Sequence, residues 1–218
     1  MSSLIVFVKY PEPGKVKTRL GADVGSKLAA ELYRLFLRQT FELLRQSVAD
    51  RVYVAYEPEE LGHEFTNIIP EEFERFPQTG DDLGERLHNA FGYVFEQSGH
   101  KKAIAVGSDS PTLPRVYLDQ AVSDLDYFDL VLGPAEDGGY YLIGLKEPCE
   151  DLFQDVHWSS SSVLKTTVAQ ASQIELAYHL LPPWYDVDDL QTLKRAARDD
   201  SSGRIAALLE ERSDILSI

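Results

Sequence analysis

A single carboxylate follows a short apolar run in the middle of the chain. Residues 103–106 read Ala-Ile-Ala-Val, Gly107 ends the run, and Asp109 comes two residues later. The run does not alternate between polar and apolar residues, which is typical of a strand buried on both faces, and Pro111 prevents that strand from continuing. Asp109 is therefore predicted at the C-terminal end of a central strand, where open α/β sheets bind their ligands.

Three cations lie close together in the loop that follows the first predicted strand, residues 4–8. Residues 9–20 contain two prolines and one glycine, which favour a stiff loop over a helix start. Lys15, Lys17 and Arg19 fall within five residues of this loop. The loop after the first strand of a doubly wound fold binds phosphates, although this one is neither a Walker A loop nor a Gly-x-Gly-x-x-Gly loop. A solvated basic loop is the alternative interpretation.

A further acid and two glycines separate two apolar runs in the second half of the chain. Asp137 precedes Gly138 and Gly139, between the predicted strands 129–132 and 140–144. Adjacent glycines permit unusual φ angles or the close approach of another group, which is compatible with a binding site. An ordinary hairpin turn at Asp137-Gly138 is the alternative, because Asp-Gly is a strong turn signal.

Three further candidates each have a structural alternative. Asp188, which follows Asp186 in a proline-rich connection, can bind a ligand or cap the next helix. Arg86 can contact a phosphate or carboxylate, or form a surface ion pair. Trp158 can line a binding site or fill the core, and the core is the commoner place for this side chain.

Together these residues fit the transfer of a group from a nucleotide-activated donor. Magnesium and manganese ions prefer carboxylate and phosphate oxygens. A nucleoside diphosphate leaving group needs its developing charge neutralised by such an ion or by Lys and Arg. A second carboxylate can take the proton of an acceptor hydroxyl. These parts do not decide which side of the diphosphate is attacked.

Helical periodicity alternates with short apolar runs along the whole chain. The pattern predicts helices over 26–46, 83–95, 114–123, 161–171, 190–198 and 205–211, and strands over 4–8, 51–56, 73–76, 103–106, 129–132, 140–144 and 175–180. Such alternation predicts an α/β fold whose mainly parallel sheet has helices on both faces. A chain of 218 residues, 44% of them hydrophobic, suits a single domain over 1–218.

Charge and composition exclude several classes of partner. The net charge of −15 disfavours binding to nucleic acid and to anionic membranes. The single cysteine excludes a disulfide framework and suits a reducing compartment. The longest N-terminal apolar run is too short for a signal peptide or a membrane span. We expect a cytoplasmic protein without membrane insertion, and predict no oligomeric state.

Several motifs together resemble a bacterial glycosyltransferase-like family that is often associated with radical-SAM proteins and was long a domain of unknown function. The motifs are Lys9-x-Pro11-x-Pro13-Gly14-x-Val16-Lys17-Thr18-Arg19-Leu20, Asp82-Leu83-Gly84-Glu85-Arg86, Gly107-Ser108-Asp109-Ser110-Pro111, Gly133-Pro134-Ala135-x-Asp137-Gly138-Gly139-Tyr140-Tyr141-Leu142-Ile143-Gly144-Leu145, Trp158-Ser159 and Asp186-Val187-Asp188. They cover nearly the whole chain. The resemblance implies a single-domain GT-A type (nucleotide-diphospho-sugar transferase) three-layer sandwich.

The resemblance also implies roles for individual residues. Asp109 and Asp137 would be the catalytic carboxylates, and Asp109 and Asp188 would bind Mg²⁺ or Mn²⁺. The nucleotide would contact Pro13, Gly14, Lys15, Lys17, Thr18, Arg19, Arg86 and Ser108. The substrate would contact Gly138, Gly139, Tyr140, Trp158 and Ser159.

The implied function is transfer of a sugar from a nucleotide-diphosphate donor to a small-molecule acceptor. Two alternatives stay open: a nucleotidyltransferase that uses a nucleoside triphosphate and a small phosphorylated acceptor, and a non-catalytic nucleotide-binding module. The chain departs from related patterns at two places. Ser108-Asp109-Ser110 supplies one acid where many glycosyltransferases have two, and the first loop lacks the Gly-Gly and Arg-Met pattern of nucleotidyltransferases.

Overall fold

The computed structural model describes residues 1–158 and 160–212, which contain one seven-stranded sheet. Its strands are β1 (Ser3–Lys9), β2 (Arg51–Glu57), β3 (Glu74–Pro77), β4 (Ala103–Val106), β5 (Leu130–Pro134), β6 (Tyr140–Leu145) and β7 (Tyr178–Leu180). They lie in the order β3-β2-β1-β4-β6-β5-β7. Only β6 is antiparallel to its neighbours, β4 and β5, and every other pair of strands is parallel.

Seven α-helices of the described residues cover the two faces of the sheet. They are α1 (Thr18–Val24), α2 (Ser26–Arg45), α3 (Leu83–Ser98), α4 (Arg115–Asp124), α5 (Val163–Gln173), α6 (Leu190–Asp199) and α7 (Arg204–Glu210). Buried residues of α3 and α5 pack on one face, and those of the other five helices pack on the opposite face. None of the described helices combines the length and apolar composition that crossing a membrane requires.

The sheet is the centre of a three-layer structure, because its strands contribute side chains to both cores. In β1, Leu4 and Val6 join the core beneath α2, whereas Ile5 joins the core beneath α3. Successive strand residues point to opposite faces, so a strand buried on both sides is apolar throughout. This architecture confirms the predicted α/β fold with a mainly parallel sheet.

Two local predictions are wrong. Helix α1 begins at Thr18, inside the segment predicted to be a loop, because Leu20 and Val24 lie one helical turn apart and are both buried. Strands do not alternate with helices throughout, since the five residues 135–139 connect β5 directly to the antiparallel β6. The Asp137-Gly138 turn makes this hairpin possible, as the alternative interpretation of that dipeptide required.

The topology brings several loops to one edge of the sheet. All strands except β6 run in the same direction, so the segments that follow β1, β2, β4, β5 and β7 leave from the same edge, which we call the C-terminal edge. The chain continues from β1 to β2 on one side, while β4 lies on the other side of β1. The loops after β1 and β4 thus flank a crevice of the kind that binds ligands in open α/β sheets.

Candidate functional site

A buried ammonium group lies where β1 and β4 end. Lys17 precedes α1 with a left-handed φ of 47°, and its side chain is 4% exposed. Its Nζ atom lies 2.5 Å from Oδ1 of Asp109 and 3.2 Å from Oδ1 of Asp188. Burial alone would lower the pKa of Lys17, but the two carboxylates outweigh burial and raise that pKa above its ordinary value. Lys17 is therefore a permanent positive charge at neutral pH.

Arg19 adds a second cation to the same place. Its Nη2 atom lies 2.6 Å from Oδ2 of Asp188, so each oxygen of this carboxylate contacts one cation. Arg19 and Asp109 remain accessible, with side chains 77% and 46% exposed. We call Lys17, Arg19, Asp109 and Asp188 the Lys17 cluster. The structure thus brings the basic loop and the two predicted metal ligands together.

The two acidic loops of the cluster are fixed to each other. The N–H of Val187 donates to the carbonyl oxygen of Asp109 over 2.9 Å, and Ser110 Oγ donates to Oδ1 of Asp186 over 2.5 Å. Burial, together with the negative charge of Asp109, raises the pKa of Asp186 to about 6, against the opposing effects of the Ser110 hydrogen bond and Lys17. Asp186, which the sequence offers as a further oxygen ligand beside Asp188, is thus part of the site.

Asp186 makes stability depend on pH. Its pKa rises from 3.8 in the unfolded chain to about 6 in the fold, so the folded state binds this proton more tightly and stability falls as pH rises through that range. We expect Asp186→Asn to be more stable than wild type at pH 7, by about 1–3 kcal/mol, with the difference vanishing towards pH 4. Urea unfolding at several pH values measures this, with Asp151→Asn at an exposed carboxylate as the control. A pH-independent difference would contradict the assignment.

Ser108 is not open to a ligand through its side chain. The residue is buried, and its Oγ lies 2.8 Å from the hydroxyl of Tyr33, which also accepts the N–H of Lys9 over 3.0 Å. Tyr33, on α2, thereby connects the ends of β1 and β4 beneath the Lys17 cluster. No spacing in the sequence distinguishes Tyr33 from the other residues on the buried face of α2.

Arg86 forms the ion pair that was the alternative to ligand binding. Its Nη1 pairs with Oε2 of Glu57, at the end of β2, and its Nε donates to the carbonyl of Gly80 over 3.1 Å. Lys9 Nζ lies 2.9 Å from the other oxygen of Glu57. Glu57 is only 21% exposed and was missed in the sequence, although an acid at the end of a second strand is itself a signal in doubly wound folds.

Asp137 lies at the C-terminal edge, outside the Lys17 cluster. It follows the last residue of β5 by three positions, just as Asp109 follows β4, and β6 separates the two strands by about 10 Å. Its exposed carboxylate accepts the N–H of Gly139 over 2.9 Å. Among the described residues no hydrogen bond or ion pair joins Asp137 to Lys17 or Arg19.

The remaining predicted contacts have different surroundings. Pro13, Gly14, Lys15 and Thr18 are exposed around Lys17. Trp158 is half-buried and packs on Gly84, where an added Cβ atom would meet the indole at 2.8 Å. Tyr140 and Trp158 both pack against the core beneath α3, which was the structural alternative for Trp158. Ser159 lies outside the described residues.

The described residues do not form a preassembled metal site. They contain no group of three or more His, Cys, Asp or Glu side chains placed to hold an ion. Both oxygens of Asp188 contact cations, whereas in the described part of the chain no hydrogen bond reaches Oδ2 of Asp109. One free carboxylate oxygen fits an ion that receives its other ligands from substrate phosphates, which is the usual way that proteins bind Mg²⁺.

Comparison with known proteins gives a family and a fold. A family model described as "Uncharacterized protein conserved in bacteria (DUF2064)" matches residues 40–160. A search of curated proteins gives no match. A crystal structure from Desulfovibrio desulfuricans G20, provisionally named a nucleotide-diphospho-sugar transferase, is 37% identical with a TM-score of 0.90, over 98% of this chain and 96% of that one.

More distant structures share the fold. CMP:2-keto-3-deoxy-manno-octonic acid synthetase, solved with CTP, is 10% identical with a TM-score of 0.58, over 96% of this chain and 99% of that one. Rv0371c from Mycobacterium tuberculosis H37Rv, solved with manganese, is 12% identical with a TM-score of 0.56, over 89% of this chain and 96% of that one. At such identities the likeness shows the fold alone.

Proposed function

We propose that this chain, which belongs to the DUF2064 family of proteins conserved in bacteria, transfers a sugar from a nucleotide-diphosphate donor to a small-molecule acceptor. The observation that carries the proposal is the Lys17 cluster. It places a buried ammonium and an accessible guanidinium at the crevice between β1 and β4. Cations at that position suit a diphosphate, whose charge increases as the bond to the sugar breaks. The association with radical-SAM proteins stays a prediction.

The end of β2 supports a direction for the donor. In dinucleotide-binding doubly wound folds an acid of the first βαβ unit hydrogen-bonds the ribose, and Glu57 offers a carboxylate at the end of β2, next to β1. Its ion pairs with Lys9 and Arg86 hold the carboxylate in place. With the nucleoside over β1 and β2, the sugar and the acceptor lie over β4, β6 and β5.

Charge counting supports a divalent ion. Lys17 and Arg19 carry two positive charges, and Asp109 and Asp188 balance them, so the Lys17 cluster is neutral before a diphosphate arrives. Oδ2 of Asp109 would hold Mg²⁺ or Mn²⁺ together with phosphate oxygens. Such an ion would neutralise the charge of the leaving diphosphate.

In the proposed reaction, the chain's own residues bind the leaving group and take the acceptor's proton. The bond between the anomeric carbon and the diphosphate oxygen breaks while the acceptor oxygen bonds to that carbon. Lys17 and Arg19 contact the departing diphosphate. Asp137, exposed beyond β5, accepts the hydroxyl proton as general base.

The role of Asp109 is tested by Asp109→Asn. We expect calorimetric titration with UDP- and GDP-sugars to show affinity reduced at least about 30-fold when manganese is present, because an amide is a poor ligand for a hard cation. Without manganese the variant should bind no more weakly than wild type, because the substitution removes a negative charge from the Lys17 cluster. Asp126→Asn, at an exposed carboxylate paired with Lys102, is the matched control. Equal affinities of wild type and Asp109→Asn in the presence of manganese would show that Asp109 does not hold the metal ion.

The reaction class is tested by the product released. A glycosyltransferase releases a nucleoside diphosphate from a nucleotide sugar, whereas a nucleotidyltransferase releases pyrophosphate from a nucleoside triphosphate. A thermal-shift screen first selects the nucleotide, since a ligand at 100 times its Kd raises stability by about 2.7 kcal/mol. Pyrophosphate release would replace the proposal by nucleotidyl transfer, and binding without either release would favour a non-catalytic module.

A further inference from the structure

The loops at the C-terminal edge beyond β4 contain acids and no lysine or arginine. They are residues 107–114 after β4, residues 135–139 between β5 and β6, and residues 181–189 between β7 and α6, which we call the acceptor-side loops. Their charged residues are Asp109, Glu136, Asp137, Asp186, Asp188 and Asp189. Positions 159 and 213–218, which the structure does not describe, are also neither lysine nor arginine.

Apart from the Lys17 cluster, one cation of the described chain forms an ion pair with these loops, and two carboxylates already pair with it. Arg195, on α6, places Nη1 within 3.0 Å of both carboxylate oxygens of Glu136, and its Nε lies 3.6 Å from Asp199. The ring of Tyr185 covers the guanidinium at 3.7 Å. Glu136 and Asp199 therefore balance the charge of Arg195, and Tyr185 covers one face of its guanidinium.

The acceptor-side loops are also fixed in position. The N–H of Glu136 donates to the carbonyl of Trp184 over 2.9 Å, and the N–H of Trp184 donates to Pro134 over 3.0 Å. The bond from Val187 to Asp109 attaches the same segment to the loop after β4. Because backbone hydrogen bonds connect all three loops, their carboxylates remain at this surface when a ligand approaches.

We infer that the acceptor is a neutral hydroxyl compound, such as a sugar or polyol, and carries no phosphate or carboxylate group. The inference rests on the proposed function, which places the acceptor over these loops. An anionic acceptor would meet these carboxylates while Arg195 is already paired with Glu136 and Asp199, and juxtaposed like charges oppose binding. Carboxylate oxygens instead accept hydrogen bonds from hydroxyl groups.

The test measures phosphate affinity on the acceptor side. Glycerol 3-phosphate is titrated, with ³¹P NMR detection, into free protein and into protein saturated with the nucleoside diphosphate that the thermal-shift screen selects. We expect the nucleotide to weaken binding at least about tenfold, because the phosphate of the probe competes for the Lys17 cluster. Saturable binding that persists with nucleotide and is lost in Arg195→Ala or in Lys165→Ala, an exposed residue of the first turn of α5, would overturn the inference. If glycerol 3-phosphate still binds with nucleotide present and neither variant alters that binding, the probe binds outside the acceptor-side loops, and this result supports the inference.

A second variant should increase the affinity of the acceptor-side loops for a phosphate group. Glu136→Gln removes one of the two carboxylates that neutralise Arg195. We expect this variant, with nucleotide bound, to gain about tenfold in affinity for glycerol 3-phosphate, and unchanged affinity would contradict the inference. The inference would also be overturned if glycerol 3-phosphate, used as acceptor, stimulated release of the nucleoside diphosphate from a nucleotide sugar more than glycerol does.

Failure of the proposed function gives a different result. If no nucleotide binds, the proposed function is wrong, and the titration of free protein still decides the acceptor side. If Lys17→Ala abolishes the binding of glycerol 3-phosphate, or if the probe does not bind at all, the acceptor-side loops have no affinity for phosphate and the inference is supported. Binding that survives Lys17→Ala and is lost in Arg195→Ala contradicts it.

Discussion

Lys17→Ala is expected to lower the affinity for a nucleoside diphosphate by about 100-fold, because truncating one partner of a buried charged pair costs several kcal/mol. The variant should also unfold at lower urea concentration, with a loss of about 1–3 kcal/mol. This is less than for a fully buried pair, because Asp109 and Asp188 remain partly solvated. Calorimetric titration and urea unfolding measure the two effects.

Lys15→Ala is the matched control for this change. Lys15 lies two residues away in the same loop, but its side chain is exposed. Its removal should change stability by no more than about 0.5 kcal/mol and nucleotide affinity by severalfold at most. If the two variants behaved alike in both measurements, the buried ammonium would have no special part in binding or in stability.

Gly138→Ala is expected to have the largest effect on the fold. The residue has φ of +94°, and an added Cβ atom would lie 2.2 Å from the carbonyl oxygen of Ser161, a backbone atom that cannot rotate away. The carbonyl of Gly138 also accepts the N–H of Leu164 at the start of α5, so a shift of the hairpin would break this connection. We expect a loss of about 3 kcal/mol or more, measured by urea unfolding.

Gly139→Ala tests whether this effect comes from position 138 itself. At Gly139 an added Cβ atom would meet only Oδ1 of Asp137, at 3.3 Å, and φ is not in the left-handed region. The substitution should cost about 1 kcal/mol or less. Equal stability of the two variants would show that the close approach to Ser161 does not restrict position 138.

Local patterns predict much of the fold. Residues 103–106 are apolar throughout because β4 is buried on both faces, and the structure places Asp109 just beyond that strand. Asp82 caps α3 by accepting the N–H of Glu85, as an aspartate just before a helix favours. The beginning of α1 was missed because the preceding prolines and glycine outweighed the spacing of Leu20 and Val24. Propensity is a weak guide where tertiary burial decides.

The site depends on contacts that no local pattern contains. Nothing near Lys17 in the sequence indicates that its ammonium is buried between two carboxylates, one of them 171 residues away. The contact between Gly84 and Trp158 and the pairing of Arg86 with Glu57 likewise join separate elements. The sequence does identify the loops at the C-terminal edge, because strand ends and turn residues are local, but the partners of each side chain require the folded chain.

The separation between Lys17 and Asp188 has a consequence for synthesis of the protein. A nascent chain exposes Lys17 early, yet the carboxylate that pairs with both Lys17 and Arg19 follows after some nine-tenths of the sequence. Until then the two cations lack that partner, and a growing chain would bind anions less selectively than the finished protein. Full-length chains with Asp188 and with Asp188→Asn should therefore differ in how well they distinguish nucleotides from other polyanions.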